Sequence, residues 1–256
     1  MAGQVALRAH PEVEGVYEVT LSHPGRLNAM SRAMWRTLRE VFLALHSDPR
    51  ARCVIVAGEG GAFCAGGDIA EYPDFRFDAA ALRDFHEADV WGGLSALLDC
   101  DVPVVARIEG ACMGAGVEIA ACCDLRVAGA AARFGAPIAR LGFPMAPREA
   151  WLVRQAAGDA TARELLLEAA VLDAATAQAR GFVQRVLPDD QVAAGAIDAA
   201  RRIARLAPQA ARLNKQTLRQ LRGPAPVAAP DAYAFADSAE HREGITAFLD
   251  KRPPSF

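Results

Sequence analysis

The stretch Phe63-Cys64-Ala65-Gly66-Gly67-Asp68-Ile69 follows an apolar run, Cys53-Val54-Ile55-Val56-Ala57, that predicts a buried strand. Gly58, Gly60 and Gly61 lie between the two and break regular structure. The same order recurs further on. The apolar run Val102-Pro103-Val104-Val105-Ala106-Arg107-Ile108 leads into Gly110-Ala111-Cys112-Met113-Gly114-Ala115-Gly116-Val117-Glu118. Two strand-to-glycine-loop transitions predict two backbone N–H groups aimed at one ligand atom. Taken alone, the first stretch also reads as a tight turn in which glycine relieves steric strain.

Working outward, 256 residues can bury a sizeable core and fit one or two domains. A 52% apolar content with 23% charged residues describes a globular protein. The net charge of −3 gives no footprint for nucleic acid or an anionic membrane surface. No apolar run approaches the roughly 18–20 residues of a membrane span, and Met1–Leu7 lacks the basic-then-apolar order of a secretory signal. Cys53, Cys64, Cys100, Cys112, Cys122 and Cys123 form no C-x-x-C pair and no zinc-ligand spacing with histidine. They read as small hydrophobes in a cytoplasmic protein with reduced thiols.

Along the chain, Val5–Arg8 and Val16–Leu21 predict an antiparallel strand pair. Ser31 caps a helix whose buried face is Met34, Leu38, Val41, Phe42 and Leu45. A single helix is expected from about Asp78 to Leu98 and another from Gly114 to Cys123. Strands are expected at Asp124–Ala128, Arg133–Gly135 and Val183–Leu187. Pro137–Pro147 reads as a loop, and helices dominate from Arg148 onward, the last at about Ala229–Leu249. Strands alternating with helices up to about residue 190 predict parallel pairing. Gly223–Pro230 is the linker candidate, and strand-strand-helix recurrences in the first half hint at an internal repeat.

Gly114-x-Gly116 is a weak match to a dinucleotide fingerprint, because no acidic residue follows at the required distance after a second strand. A helix beginning at Gly114 fits another use. Its N-terminus exposes unpaired N–H groups and partial positive charge, and with an N–H from the first loop it would make an oxyanion hole. Glu118 lies one turn inside, beside Val117, Ile119, Ala120 and Ala121. A carboxylate in that company is either paired or tuned for proton transfer; otherwise it is a solvated partner of the helix dipole.

Phe63–Ile69 and Glu109–Glu118 resemble the two oxyanion motifs of the crotonase (enoyl-CoA hydratase/isomerase) superfamily. Cys123–Ala128 matches the strand that follows the second motif. His23-Pro24-Gly25-Arg26-Leu27-Asn28-Ala29-Met30 is similar to the CoA-contacting loop, and Glu240–Arg252 to the C-terminal helix. The resemblance covers essentially the whole chain, in order. It implies an α/β fold, a spiral of repeated strand-strand-helix units with a helical C-terminal trimerisation region. It divides the chain into a spiral core over residues 1–190, holding the CoA-thioester site, and a helical region over 191–256 that serves oligomerisation and part of the CoA site. It also implies oxyanion donors at Gly67 and Ala115, each worth about 10²–10³ in rate, and proton transfer by Glu118. CoA contacts carry over to Arg26, Leu27 and Ala29 near the nucleotide, to Ala65, Asp68 and Ile69 beside the thiol arm, and to Phe248 and Lys251 at the nucleotide end, often from a neighbouring subunit.

Departures from the family pattern matter as much. The second glutamate of the hydratases follows the proline of a Phe-Gly-x-Pro-Glu pattern; here the sequence is Phe134-Gly135-Ala136-Pro137-Ile138. Ile138 cannot transfer a proton. Arg140, Arg148 and Glu149 are charged residues near the expected pocket. Arg148 would suit a substrate carboxylate, and Glu149 would replace the missing acid if the loop register shifts. Arg148 and Glu149 also fit the exposed first turn of a helix after Pro147. None of His10, His23, His46, His86 and His241 falls on a family catalytic position, and all five read as surface or loop residues.

The expected function is therefore an acyl-CoA-processing enzyme of the hydratase/isomerase type. Its alternatives are isomerisation, decarboxylation or hydrolysis of an acyl-CoA, or a CoA-thioester-binding assembly subunit without turnover. No permanently bound cofactor or metal is expected, coenzyme A being part of the substrate. The expected partners are the acyl-CoA and further copies of the chain, as a trimer or a dimer of trimers.

Overall fold

The computed structural model describes residues 2–223 and 232–255. Strands β1 (Gln4–Ala9) and β2 (Val16–Ser22) pair antiparallel, with Val5 opposite Leu21 and Leu7 opposite Val19. Helix α1 (Arg32–Ser47) crosses to β3 (Cys53–Gly58). Ser31 caps it, its side chain accepting from the Met34 amide at 3.2 Å. Its buried stripe is Met34, Trp35, Leu38, Phe42 and Leu45, so Trp35 takes the place expected of Val41. Truncating Phe42, which is fully enclosed, to alanine would cost about 3–5 kcal/mol.

Short helix α2 (Ala79–Asp84) and α3 (Trp91–Asp99) replace the single helix expected over 78–98. A π-helical turn, Phe85–Val90, joins them, the kind of local irregularity that gathers at functional sites. Then come β4 (Val104–Ile108), β5 (Ala111–Met113), α4 (Ala115–Cys122), β6 (Leu125–Gly129) and β7 (Arg133–Gly135). Pro137–Leu141 forms a 3₁₀ turn inside the expected loop. Helices α5 (Pro147–Ala157) and α6 (Asp159–Leu167), strand β8 (Val171–Asp173), helix α7 (Ala174–Ala179) and strand β9 (Arg185–Leu187) follow. Helices α8 (Val192–Ala204), α9 (Pro208–Arg222) and α10 (Ala239–Leu249) complete the described chain. Beyond Gly223 the linker candidate lies outside the described residues, as does the start of the last expected helix; Ala234–Asp237 is a 3₁₀ turn before α10.

The main sheet has the order β1-β2-β3-β4-β6-β9, parallel from β2 onward, as the alternation of strands and helices predicts. Both faces are covered. Val54 and Val56 of β3 pack toward α1, whereas Cys53 and Ile55 pack with Val192, Ala196 and Ala199 of α8. A strand buried on both faces reads as a continuous apolar run rather than an alternating one, which is why Cys53–Ala57 looks as it does.

A second layer makes the spiral visible. Bridges Met30–Gly67 and Cys64–Cys112 run parallel, and β5 pairs with β7, itself paired with β8. Each turn of the chain thus gives one strand to the main sheet, a shorter one to the second layer, and then a helix. These short pairings carry few alternating residues, so β5 and β8 had no periodic signal to betray them. Tyr233, Ala236 and Ile245 near the C-terminus join the principal core. Helix α10 docks through glycine: a Cβ on Gly244 would lie 2.3 Å from the Leu141 carbonyl, and one on Gly142 2.1 Å from that of Glu240.

Candidate active site

The two glycine stretches are zipped into one structure. The Phe63 amide donates to the Glu109 carbonyl at 2.7 Å, that of Cys64 to Ala111 at 2.9 Å, and that of Met113 back to Cys64 at 2.8 Å. On the other side, the Ala65 amide donates to Leu27, Met30 donates to the Gly66 carbonyl, and Asp68 donates to Met30, all at 2.8–2.9 Å. The approach is too close for side chains: a Cβ on Gly116 would meet the Cys64 carbonyl at 2.5 Å. Gly114, at φ +48° and ψ −111°, turns the chain from β5 into α4, a conformation that glycine adopts at little cost.

This clamping leaves two amides free. Among the described residues neither the Gly67 nor the Ala115 N–H donates to a backbone acceptor, and both residues line a cavity of about 430 Å³. Ala115 is the first residue of α4, where an N–H has no intrahelical partner. Glu118, one turn on, is buried and lines the same cavity. Its apolar helix neighbours account for that burial, and the solvated alternative is set aside.

Glu149 is the larger correction. It is not in an exposed first turn: it is buried and faces the cavity that Glu118 lines. Ile138 lines that cavity too, so the expected position of the second acid is apolar while an acid arrives from α5. Burial pushes Glu118 well above the ordinary carboxylate range; the charge of Glu149 adds to the shift and that of Arg76 opposes it. Burial also raises Glu149, against the pull of Arg76. Two desolvated carboxyl groups in one cavity oppose each other's ionisation, so burial and mutual repulsion both push toward the neutral form.

The reading of the histidines as surface or loop residues fails for two of them: His86 and His241 are buried on helical segments, whereas His23, though buried, lies in the loop after β2. His86, on the π-helical turn, places Nδ1 2.8 Å from Glu149 Oε1. Burial holds the imidazole well below its usual range, so the contact is a hydrogen bond of an uncharged ring rather than an ion pair with imidazolium. His241 Nδ1–H donates to the Ala236 carbonyl at 2.8 Å. Arg148 does not reach the cavity: it pairs with Glu87 at 2.9 Å and stacks over Trp91. Arg140 lines the cavity and donates to the Ala169 carbonyl at 3.1 Å.

The positions read as CoA contacts divide. Ala65, Ile69 and Phe248 line the cavity. Arg26 is ion-paired with Asp68, whose carboxylate also accepts from the Ala70 amide at 3.3 Å. Leu27 is exposed at φ +45°, Ala29 is buried, and Lys251 is exposed beyond the end of α10 at φ +55°. Asn28, passed over in the motif, fixes this loop. It accepts from the His23 amide at 3.0 Å and donates to the Glu59 and Ala62 carbonyls at 2.8 Å each. All six cysteines are free and buried, and burial pushes the Cys64 thiol up to about 12.

Glu149 and His86 had a legible signal. Glu149 sits on the same helical stripe as Leu152, Val153 and Ala157, and His86 on that of Leu82 and Val90. An ionisable residue on an apolar stripe is either paired or functional.

The family model for enoyl-CoA hydratase/isomerase matches residues 12–256. The chain is 32% identical over 245 residues to a probable enoyl-CoA hydratase of Mycobacterium bovis, covering 93% of each chain. It is 34% identical to the 2,3-dehydroadipyl-CoA hydratase of Escherichia coli K12, again over 93% of each. Among solved structures it is similar to an enoyl-CoA hydratase/carnitine racemase from Magnetospirillum magneticum. That match has 36% identity and a TM-score of 0.82, covering 98% of this chain and 94% of that one. With its strand-strand-helix spiral and matching motifs, the chain belongs to the crotonase superfamily, in the enoyl-CoA hydratase/isomerase family.

Proposed function

We propose that the protein acts on an acyl thioester of coenzyme A, with the Gly67 and Ala115 amides holding the thioester oxygen and with Glu118 and Glu149 moving protons. The observation that carries this reading is that two unpartnered amides and two buried carboxyl groups line one cavity. As an enolate forms, negative charge grows on the thioester oxygen, and fixed amide donors stabilise it without reorganising. Hydration of a double bond needs one group to take a proton from water and one to deliver a proton to carbon. Two carboxyl groups whose ionisations oppose each other suit that division of labour. Glu149 thereby supplies the acid that Ile138 does not.

Ala65, Ile69 and Phe248 are proposed to contact the thioester arm, and Arg26, Leu27, Ala29, Asp68 and Lys251 the CoA beyond it. No other cofactor enters the proposed chemistry. Leu213, Leu218 and Leu221 are exposed on α9, which supports assembly with further copies. The proposed setting is the cytoplasm; no helix among the described residues is long and apolar enough to cross a membrane. The test is turnover of trans-2-enoyl-CoA thioesters, followed by loss of the conjugated chromophore with product identification. Hydration that collapses in both Glu118→Gln and Glu149→Gln is expected. Activity indifferent to both substitutions would sink the mechanism, and a shifted double bond or released carbon dioxide would redirect it to isomerisation or decarboxylation.

A further inference from the structure

Arg76 is buried in the wall of the cavity, 1% exposed. Its guanidinium lies over the rings of Tyr72, at 4.2 Å, and Phe143, at 4.0 Å. Its Nε donates to His241 Nε2 at 3.4 Å. Burial lowers His241 to about 4, so that partner is an uncharged imidazole accepting at Nε2. The Nη2 group has no hydrogen-bond partner, and among the described residues no carboxylate lies within 4.0 Å of the guanidinium. The cation is therefore held by two aromatic faces and a neutral ring, with donors left over in a water-poor site. A buried cation without an anion is costly to keep. A planar fork of N–H donors matches the two oxygens of a carboxylate.

We propose that Arg76 is the recognition site for a carboxylate carried on the acyl group, so that the preferred substrates are acyl-CoA thioesters whose chain ends in a carboxylate rather than a methyl group. The inference rests on the acyl-CoA reading of the same cavity. Arg148, the residue first suited to this role, is engaged by Glu87 outside the cavity; of the arginines that line the cavity, Arg140 bonds the Ala169 carbonyl and Arg252 pairs with Glu243, whereas Arg76 keeps an unpartnered Nη2. The surrounding charges are those of Glu118 and Glu149, which share the cavity, with His86 and His241 beside them. Neither glutamate lies within 4.0 Å of the guanidinium or bonds its Nη2, and burial disfavours charge on both, which leaves the guanidinium available to an incoming anion.

Calorimetric binding to the full chain with saturated thioesters, which do not react, separates recognition from catalysis. Succinyl-CoA is compared with butyryl-CoA and adipoyl-CoA with hexanoyl-CoA. At one of the two lengths the carboxylated member is expected to bind about 10–100-fold more tightly, the range of a charge-assisted pair. In Arg76→Met, whose side chain still packs between Tyr72 and Phe143, that preference should collapse toward unity, and in Arg76→Lys it should fall part-way. Equal affinity within both pairs, or preference for the methyl-ended member, overturns the proposal while leaving the acyl-CoA reading intact. Binding of none of the four overturns both. If Arg76→Met does not fold, the wild-type preference and Arg76→Lys still decide the matter.

Discussion

His86 Nδ1 lies 2.8 Å from Glu149 Oε1, across a sequence separation of 63 residues. The ring comes from a π-helical turn and the carboxyl from the first turn of a helix that begins at Pro147. The hydrogen bond fixes which way a buried acid points. Its partner across the cavity, Glu118, has no side-chain hydrogen bond among the described residues. One acid is oriented by a hydrogen bond; the other faces the cavity without one.

Replacing either acid should separate catalysis from folding. Glu118→Gln and Glu149→Gln preserve shape and hydrogen-bonding capacity but cannot exchange a proton. Each should lower kcat by about 10²–10⁴-fold, the usual worth of a positioned acid or base, while circular dichroism and oligomeric state stay those of the parent. Steady-state assays with an enoyl-CoA measure this.

His86 acts through Glu149 and is therefore a positioning residue. His86→Ala should reduce kcat by about 3–10-fold, as loss of one net hydrogen bond implies, with KM nearly constant. His86→Gln, which can still bond the carboxyl, should recover part of that loss. If His86→Gln were as slow as His86→Ala and both raised KM instead, the ring would be filling space rather than aiming the acid.

The pH dependence of stability follows from the raised glutamates. Burial pushes Glu149 from 4.5 up to about 8. The unfolded chain releases that proton first, so folding stability contributed by the protonated form is present below about 4.5 and is lost as pH rises toward 8. Glu149→Gln has no such loss. Its melting temperature relative to wild type should therefore rise steadily across that interval. A difference that stays flat or shrinks with pH would show that Glu149 is ionised in the native protein.

The loop contact that frees the amides has its own signature. A Cβ on Gly67 would lie 2.1 Å from the Tyr72 hydroxyl but 3.1 Å from the ring carbon that bears it. Gly67→Ala should cost about 1–3 kcal/mol of stability by overpacking together with much of the turnover. Adding Tyr72→Phe should restore part of both. A double-mutant cycle by thermal melts and kcat/KM tests the coupling.

By contrast, Gly116→Ala should act on the clamp between the loops. Its new Cβ would press on the Cys64 carbonyl at 2.5 Å, a backbone atom held in a parallel bridge with Cys112. The expected result is destabilisation of about 1–3 kcal/mol and lower turnover, and no side-chain truncation nearby should relieve it.

The sequence by itself determined the parallel core and one wall of the site. Apolar runs such as Cys53–Ala57 declare strands buried on both faces, and the glycine loops with Glu118 carry their chemistry within a few neighbouring residues, where a linear motif can hold it. Tertiary structure alone decided the other wall. Glu149, His86, Arg76 and His241 come from separate elements, with Arg76 and His241 165 residues apart; the apolar stripes of Glu149 and His86 signal burial but not what either residue faces. What sets their ionisation is desolvation and mutual charge, and both depend on distances that exist only once α5, the π-helical turn and α10 have packed around one cavity. At Ile138 the motif lacks its expected acid, and only the packed structure brings Glu149 into the cavity that Ile138 also lines.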